Sequence, residues 1–427
     1  MMEPAISKTR MKVALAMAYF IFAILLNSVG TVMMQVQEAF SVSKGAATQL
    51  EAFKDLTIAF TSFIVAPFLP RLGFKRAILG GVALAGLACL MMPTFPSFVT
   101  AKALFFFCGL SFAFIKVSVY SSVALVTDDS RQHAAFMSRV EGVYMIGVLL
   151  GYWLFSYFID PANPASPVWL NVYWVLVFLC VVVFAAVLGT PFARAVESKE
   201  TSTGKDFMDM ISLMALPLVC IFIISAFLYV LIEQGIGTWL PTFNKDVLGL
   251  PADMSVQATS IFAACLAFGR LSAGSVIQRF GWYPVLNICL LTMGGLVVSV
   301  IPMTHGLTPN PEMTWGTAPL AAFLFPLIGL FMAPIYPALS SVMLSSLPKP
   351  MHSSMTGLIV IFSALGGTTG SIITGYVFEH FSGQTAFMFS LVPIGAIMLT
   401  LVFFRRLTQR AIARQEKIDV DGPVLPV

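Results

Sequence analysis

The sequence predicts an all-α membrane protein with twelve transmembrane helices, arranged as two pseudo-symmetric bundles of six. Three observations indicate this fold class. The 427 residues are 58% hydrophobic and only 10% charged, whereas roughly a quarter of the residues of a soluble domain are charged. Twelve stretches come close to the ~20 apolar residues that cross a bilayer as a helix. One long polar segment divides these stretches six and six.

The twelve predicted spans follow one another through most of the chain and are separated by short polar loops. We number them span 1 to span 12, at residues 13–36, 46–69, 77–95, 102–126, 137–159, 169–191, 211–240, 255–277, 283–303, 317–345, 354–378 and 384–404. The first stretch is too long for a signal peptide and has no small-residue cleavage site, so we expect it to remain a membrane helix.

The polar segment between span 6 and span 7 predicts the domain organisation. Its composition, rich in charged residues, Ser and Thr, is typical of a linker. We therefore predict an N-terminal six-helix bundle at 1–191, a cytoplasmic linker at 192–210, a C-terminal bundle at 211–404 and a cytoplasmic tail at 405–427.

The positions of the basic residues predict the topology. Most of the 24 Lys and Arg residues lie on the side of the two termini, whereas Lys44, Lys102 and Lys245 lie on the other side. The positive-inside rule then places both termini in the cytoplasm, and the compact loops favour a bacterial inner membrane. Because the net charge of +4 is explained by these membrane edges, we expect no nucleic-acid partner. One chain supplies both halves, so a monomer is sufficient.

Two sequence patterns recur in the two halves and indicate an internal repeat. The turn after span 2 reads Arg71-Leu72-Gly73-Phe74, and the turn after span 8 reads Arg279-Phe280-Gly281-Trp282. Span 5 opens with Met137-Ser138-Arg139-Val140-Glu141-Gly142, and span 11 opens in a similar way with His352-Ser353-Ser354-Met355-Thr356-Gly357. The order and spacing of both pairs indicate a duplicated six-helix unit.

With these turns the chain resembles the major facilitator superfamily over nearly its whole length. The family signature after span 2 is Gly-x-Leu-x-Asp-Arg-x-Gly-Arg-Lys, and Arg71, Gly73 and Lys75 match it, as Arg279 and Gly281 do in the second copy. The acidic position of the signature is Pro70 here and Gln278 in the second copy. We therefore expect the family's cytoplasmic salt-bridge latch to be weakened, or rebuilt with Glu141 or Asp128 as the partner.

Span 10 and span 11 resemble a narrower group, the fucose/glucose/galactose–proton symporters. The similarity lies in Gly329-Leu330-Phe331-Met332-Ala333-Pro334-Ile335-Tyr336-Pro337 and in Gly366-Gly367. The resemblance implies sugar–proton symport, with acidic residues in spans 1 and 4. This chain has Asn27 and Lys116 in those spans, so sugar–proton symport is not carried over directly.

Charged side chains within the spans are the main candidates for function, because each costs about 2.5–3.5 kcal/mol at the bilayer centre unless it faces a cavity or a partner. Lys116 lies near the middle of span 4, where we expect it to bind an anionic substrate or to form an ion pair with Glu51 or Asp55. Arg270 in span 8 offers a planar fork for a carboxylate or phosphate. The alternative for Arg270 is an anchor to helix-end carbonyls.

The acidic residues of spans 2, 5 and 7 are candidates for proton coupling or gating. Glu51 and Asp55 share a helical face, with Lys54 beside them. Two carboxylates on one face suit a proton carrier, although a water-exposed mouth cluster would have the same sequence. Glu233 is predicted in the outer third of span 7, before a break at 235–237, where it titrates, forms an outer gate with Lys54 or lies at a water-exposed helix end. We expect Glu141 to form an inner-gate salt bridge near Arg139.

Uncharged polar residues complete the predicted site. Asn27 in span 1, Tyr144 in span 5 and Tyr336 in span 10 are expected to face the central cavity as substrate-binding groups. The four histidines lie at loop edges, and the chain contains no HExxH, GxSxG or phosphate-binding loop motif. We therefore predict no enzyme activity, no metal site and no cofactor.

The sequence as a whole predicts a secondary active transporter that works by alternating access. The two basic residues, Lys116 and Arg270, favour a small anionic or zwitterionic metabolite, and the buried carboxylates favour a proton as the coupling ion. Three alternatives remain open at this point: a neutral sugar–proton symporter, a drug/proton antiporter and a non-transporting membrane sensor.

Overall fold

The computed structural model describes residues 3–65, 72–126, 130–192, 211–310, 312–347 and 351–421, and the regular elements of this part of the chain are all helices. Within these residues, eleven helices are long and apolar enough to cross a membrane. The remaining predicted span is described as Gln49–Val65, which borders residues outside the described ranges and contains Glu51, Lys54 and Asp55. With it the predicted twelve-helix fold is confirmed.

The N-terminal half contains the first six spans. Span 1 is Glu3–Asn27 followed by Val29–Ala39, span 2 is Gln49–Val65, span 3 is Phe74–Thr94, span 4 is Phe98–Val126, span 5 is Ser130–Tyr157 and span 6 is Val172–Leu188. A short helix, Lys44–Ala47, lies between spans 1 and 2. The predicted linker falls almost entirely outside the described residues.

The C-terminal half contains the other six spans. Span 7 is Pro217–Asp246, span 8 is Ala252–Phe280, span 9 is Trp282–Val300, span 11 is His352–His380, and span 12 is Gly383–Met388 with Leu391–Asp421. Span 10 is divided into Ala321–Leu324, Phe325–Leu327, Ile328–Met332 and Ile335–Ser345. The interruption of span 10 before Ile335 contains Pro334, which has no N–H for a helical hydrogen bond.

Two helix ends differ from the prediction. Span 7 is continuous through 235–237 to Asp246, because glycines that pack against neighbouring helices need not break a helix. Span 12 continues as a helix to Asp421, through most of the predicted tail. The extension of span 7 moves Glu233 from the predicted outer third towards the middle of the helix.

The repeated turns have the same backbone geometry in both halves. Gly73 has φ 87° and precedes span 3, and Gly281 has φ 81° and precedes span 9. A positive φ is accessible to glycine at little cost, which explains why both copies of the turn carry glycine. This agreement supports the internal repeat.

Lys75 fixes the start of span 3 against the end of span 6. Its Nζ donates hydrogen bonds to the carbonyl oxygens of Leu188 at 2.7 Å and Thr190 at 2.8 Å. A cation beside the free carbonyls at a helix C-terminus is stabilising. The matched motif residue Lys75 therefore has a structural role in the N-terminal half.

We expect Lys75→Met to lower the free energy of unfolding by about 1 kcal/mol, because two hydrogen bonds from a charged but partly exposed donor are lost. Arg76→Met is the matched control, since Arg76 is exposed and no contact of its side chain is described. Thermal unfolding followed by tryptophan fluorescence measures the difference. Equal midpoints for the two variants would contradict the capping role.

The halves meet at one end of the molecule, which we call the outer end because the predicted topology places it outside the cytoplasm. There, Val29–Ala39 packs on span 7, span 2 and the helix Lys44–Ala47 pack on span 11, and span 5 packs on span 8. Lys44 is paired with Asp246 at 2.7 Å, Lys245 with Glu38, and the Gly45 N–H donates to Glu379. These contacts close the outer end between the halves.

Candidate functional site

A cavity of about 110 Å³ lies between the two halves. Its walls come from spans 1, 2 and 5 on one side and from spans 7 and 8 on the other. They are formed by Leu26, Asn27, Val29, Gly30, Lys54, Tyr144, Met145, Val148, Tyr152, Glu233, Gln234, Gly237, Thr238, Phe262, Ala263, Leu266 and Arg270. Five of the residues predicted from the sequence, Asn27, Lys54, Tyr144, Glu233 and Arg270, therefore meet in one place.

Arg270 and Glu233 form an ion pair in the C-terminal wall of this cavity. The Arg270 Nη2 lies 2.8 Å from Glu233 Oε1. Arg270 therefore does not bind helix-end carbonyls, and Glu233 does not pair with Lys54, so both of these alternatives are wrong. The physical reason is depth: the longer span 7 brings Glu233 level with Arg270 on the adjacent span 8.

Asn27 and Tyr144 form a neutral polar pair on the opposite wall. The Asn27 Nδ2 donates to the Tyr144 hydroxyl at 3.1 Å and to the carbonyl of Ala23 at 2.9 Å. The Tyr19 ring packs on Tyr144 with centroids 4.9 Å apart, and Phe112 stacks on Tyr19 at 5.9 Å. The N-terminal wall thus offers an amide and a hydroxyl, and the Tyr19 and Phe112 rings pack behind Tyr144.

Glu141 is held by two tyrosines rather than by a basic partner. It accepts hydrogen bonds from the Tyr120 hydroxyl at 2.6 Å and from the Tyr19 hydroxyl at 3.2 Å. The predicted salt bridge near Arg139 does not form among the described residues, and Arg139 is exposed.

Lys116 lies beside the site but does not line the cavity. Its ammonium lies 5.8 Å from the centroid of the Phe112 ring. The alternative ion pair of Lys116 with Glu51 or Asp55 is wrong, because Lys54 takes both carboxylates. Within the part of the chain that the structure describes, Lys116 has no ion pair or hydrogen bond.

Glu51, Lys54 and Asp55 form a buried cluster at the contact of the two halves. The Lys54 Nζ lies 2.6 Å from Glu51 and 3.4 Å from Asp55. Glu51 is fully buried, and Lys54 is 5% exposed. The predicted alternative of a water-exposed mouth cluster does not describe this state, because spans 7 and 11 cover the cluster.

Span 7 contributes two donors to this cluster across the interface. Gln234 Nε2 lies 3.2 Å from Glu51 Oε1, and Thr238 Oγ1 lies 3.0 Å from Glu51 Oε2. Neither donor was predicted from the sequence, because uncharged polar side chains in a span carry little signal by themselves. The only available signal was that Gln234 follows Glu233 directly.

Tyr336 lies behind the cavity rather than in its wall. Its hydroxyl is 2.9 Å from Ser363 Oγ, and its ring stacks on Tyr229 at 5.6 Å. Tyr229, which was not predicted from the sequence, lies one turn before Glu233 on span 7. The stacked rings of Tyr229 and Tyr336 therefore pack next to the turn that precedes Glu233.

The remaining motif residues lie away from the cavity. Arg71 falls outside the described residues, and so does Asp128, so the cytoplasmic latch stays a prediction. Arg279 lies over the ring of its neighbour Phe280 at 5.4 Å. Among the described side chains, no group of three His, Cys, Asp or Glu residues is arranged to hold a metal ion.

A membrane-spanning fold with a polar cavity between two helical halves defines a solute transporter, and comparison with known proteins gives its family. Residues 15–325 match the model of the Major Facilitator Superfamily. The chain belongs to this superfamily, which confirms the resemblance seen in the sequence, and it is a transporter rather than an enzyme.

Sequence relatives are distant. An uncharacterized MFS-type transporter of Bacillus subtilis, YceJ, is 22% identical over 82% of this chain and 86% of its own. The MFS transporter asaE of Aspergillus flavus is 27% identical, but the match covers 39% of this chain and 36% of that protein. A probable nitrate/nitrite antiporter of Thermus thermophilus, NarK1, is 25% identical over 58% and 57%.

Solved structures share the fold at low sequence identity. A single-residue mutant of the nucleoside transporter NupG has a TM-score of 0.74 at 13% identity and covers 92% of this chain and 99% of that one. A D-xylose–proton symporter has a TM-score of 0.68 at 14% identity, covering 93% and 97%. FucP in the outward conformation has a TM-score of 0.60 at 16% identity, covering 93% and 99%.

Proposed function

We propose that this protein is a secondary active transporter that moves a small anionic or zwitterionic metabolite together with a proton by alternating access. The observation that carries the proposal is the Arg270–Glu233 ion pair in the wall of the cavity between the halves. A guanidinium there is a ready site for a carboxylate or phosphate. Glu233 binds the guanidinium where we infer that such an anion would bind.

Competition for Arg270 supplies a coupling mechanism. When the anionic group of a substrate binds the guanidinium, Glu233 loses its partner, and a carboxylate without a partner in a low-dielectric site favours its protonated form. The proton that Glu233 takes up would then travel with the substrate. This exchange keeps the charge of the site constant, so both halves can close around it.

The other residues of the site would position the substrate. Asn27 and Tyr144 offer a neutral amide and a hydroxyl on the wall opposite Arg270. Lys116 and Glu141 lie next to the site, where we infer that they set its electrostatic potential. For Lys116 this role replaces the substrate binding that we expected from the sequence. A volume of about 110 Å³ suits a small metabolite.

We further propose that both termini are cytoplasmic, that the membrane is a bacterial inner membrane and that one chain is the working unit. With this topology, the closed outer end means that the structure corresponds to the state sealed from the outside. The substrate would then leave the cavity towards the cytoplasm.

A neutral sugar–proton symporter is the second candidate. The Asn27–Tyr144 pair in the cavity wall favours it, because sugars are bound by amides and hydroxyls. The solved D-xylose–proton and fucose–proton symporters support it at the level of the fold.

The guanidinium of Arg270 in the wall argues against a cationic drug as substrate.

Proton flux in proteoliposomes tests this function. The purified full-length protein is reconstituted with a pH-sensitive dye inside, and small carboxylates, amino acids and neutral sugars are added outside in turn. We expect acidification of the interior with a carboxylate or an amino acid, and none in protein-free liposomes. Acidification with sugars alone would favour the second candidate, and no acidification with any compound would contradict proton symport.

A further inference from the structure

The buried cluster of Glu51, Lys54 and Asp55 has more negative than positive charge. Glu51 accepts hydrogen bonds from Lys54, Gln234 and Thr238, so both of its oxygens have donors. Asp55, one turn further along the same helix, lies beside Glu51 and pairs with the same Lys54 at the longer distance of 3.4 Å. With both acids ionised, one negative charge in this cluster has no cation of its own.

Among the residues that the structure describes, no cation other than Lys54 is paired with Asp55. Span 11 presents Gly367, whose backbone lies so close that a Cβ there would be 2.9 Å from Asp55 Oδ2. Span 4 packs Gly109 against the turn of Lys54. Besides Glu51 and Lys54, the titratable groups near the cluster are Tyr144 and Tyr152 of span 5, and both are neutral at physiological pH.

The excess charge is tied to the closed outer end by the contacts that Glu51 makes. Gln234 and Thr238 belong to the C-terminal half, whereas Glu51 and Asp55 belong to the N-terminal half. When the halves separate at the outer end, these hydrogen bonds break and water enters. Water can then solvate the carboxylates of both Glu51 and Asp55. The closed interface excludes this water, so a second negative charge is unfavourable there.

We propose that Asp55 is a proton-binding site of the outer gate, and that the gate closes when Asp55 takes a proton from the outside water. In the closed state the cluster then contains Lys54, the Glu51 carboxylate and a neutral Asp55, with a net charge of zero. Loss of the proton leaves a net negative charge in the interface and favours the open gate. This site is separate from Glu233 and does not depend on the identity of the substrate.

A distance measurement across the outer end tests the proposal without any substrate. Spin labels are placed at Ala162→Cys and Thr308→Cys. These positions are next to Pro161 of the N-terminal half and Pro309 of the C-terminal half, which line a cleft at the outer end together with Lys245 and Asp246. Cys220 and Cys265, which are at least partly exposed, are replaced by serine. Double electron–electron resonance on the purified full chain then gives the distance distribution from pH 5 to pH 9.

We expect the short distance to dominate at low pH and a longer distance to gain population as the pH rises. Asp55→Asn, which mimics the protonated acid, should keep the short distance at every pH. A pH-independent distribution in the parent protein, or the same pH response in Asp55→Asn, would overturn the proposal.

A second pair of variants tests the interface if Asp55→Asn does not fold. Thr238→Val removes one donor to Glu51 and should shift the population towards the longer distance at every pH. Thr242→Val is the matched control, because Thr242 is buried one turn further along span 7 and its hydroxyl has no partner in the described structure. Equal distributions for the two valine variants would overturn the role of the Glu51–Thr238 contact.

Discussion

Replacing Arg270 by glutamine should lower uptake of the transported anion by roughly 10- to 100-fold, since a hydrogen bond to a charged group contributes about 1.5–3 kcal/mol and the Arg270 side chain is 43% exposed. The residue lines the cavity and is paired with Glu233 at 2.8 Å. Glutamine retains hydrogen-bonding capacity but loses the charge and the planar fork. Initial rates of uptake in proteoliposomes, with the compound that causes acidification, measure the effect.

The double variant Arg270→Gln/Glu233→Gln separates transport from folding. The single change leaves Glu233 without its partner and destabilises the protein, whereas removing both charges leaves no unpaired ion. We therefore expect the double variant to unfold at nearly the parent temperature and still to transport poorly. If either variant takes up the anion at the parent rate, Arg270 is not the substrate site.

Replacing Gly30 by alanine should abolish transport without unfolding the protein. A Cβ at Gly30 would lie 2.3 Å from the backbone carbonyl oxygen of Thr238. Gly30 belongs to span 1 and Thr238 to span 7, so this clash arises only where the halves meet. The halves can avoid it by staying apart at the outer end, which would hold the transporter open to the outside.

The spin-label pair at residues 162 and 308 measures this outcome directly. We expect Gly30→Ala to show the longer distance at low pH, where the parent is closed, and to give uptake near background. Gly295→Ala is the control, because nothing lies within 4 Å of a Cβ at that position of span 9. A parent-like distance distribution in Gly30→Ala would show that the interface tolerates the added carbon.

A glycine inside one half should behave differently. A Cβ at Gly370 would lie 2.1 Å from the carbonyl oxygen of Leu231, and spans 11 and 7 pack together within the C-terminal half. These helices do not separate in a movement of one half against the other. The clash at Gly370 therefore destabilises the folded protein in every conformation, whereas the clash at Gly30 destabilises only the conformation in which the outer end is closed.

The candidate site could be predicted in part from single residues. Charges within apolar spans identified Arg270, Glu233 and the Glu51 cluster, because the bilayer makes such residues costly unless they have a partner or face a cavity. Their partners were harder to predict. Glu233 was assigned to Lys54 because both were predicted near the outer end, and the continuous span 7 places Glu233 beside Arg270 instead.

Lys116 shows the opposite case. Its depth in span 4 made it the strongest sequence candidate for substrate binding, but depth does not give the direction in which a side chain points. The structure places it over the Phe112 ring, outside the cavity wall. Tyr19 and Thr238 were missed for a related reason, since ordinary polar residues gain importance only from the groups that they contact.

The sequence by itself determined the membrane-spanning helical class, the number of spans, the internal repeat and the family, because hydropathy, helix length and glycine turns are local properties. Only the tertiary structure decided which charges pair, which half supplies each wall of the cavity and where the halves meet. Those features depend on the rotation of each helix about its axis and on contacts between distant spans. A single sequence shows which residues could make such contacts, and the packing of the helices determines which of them do.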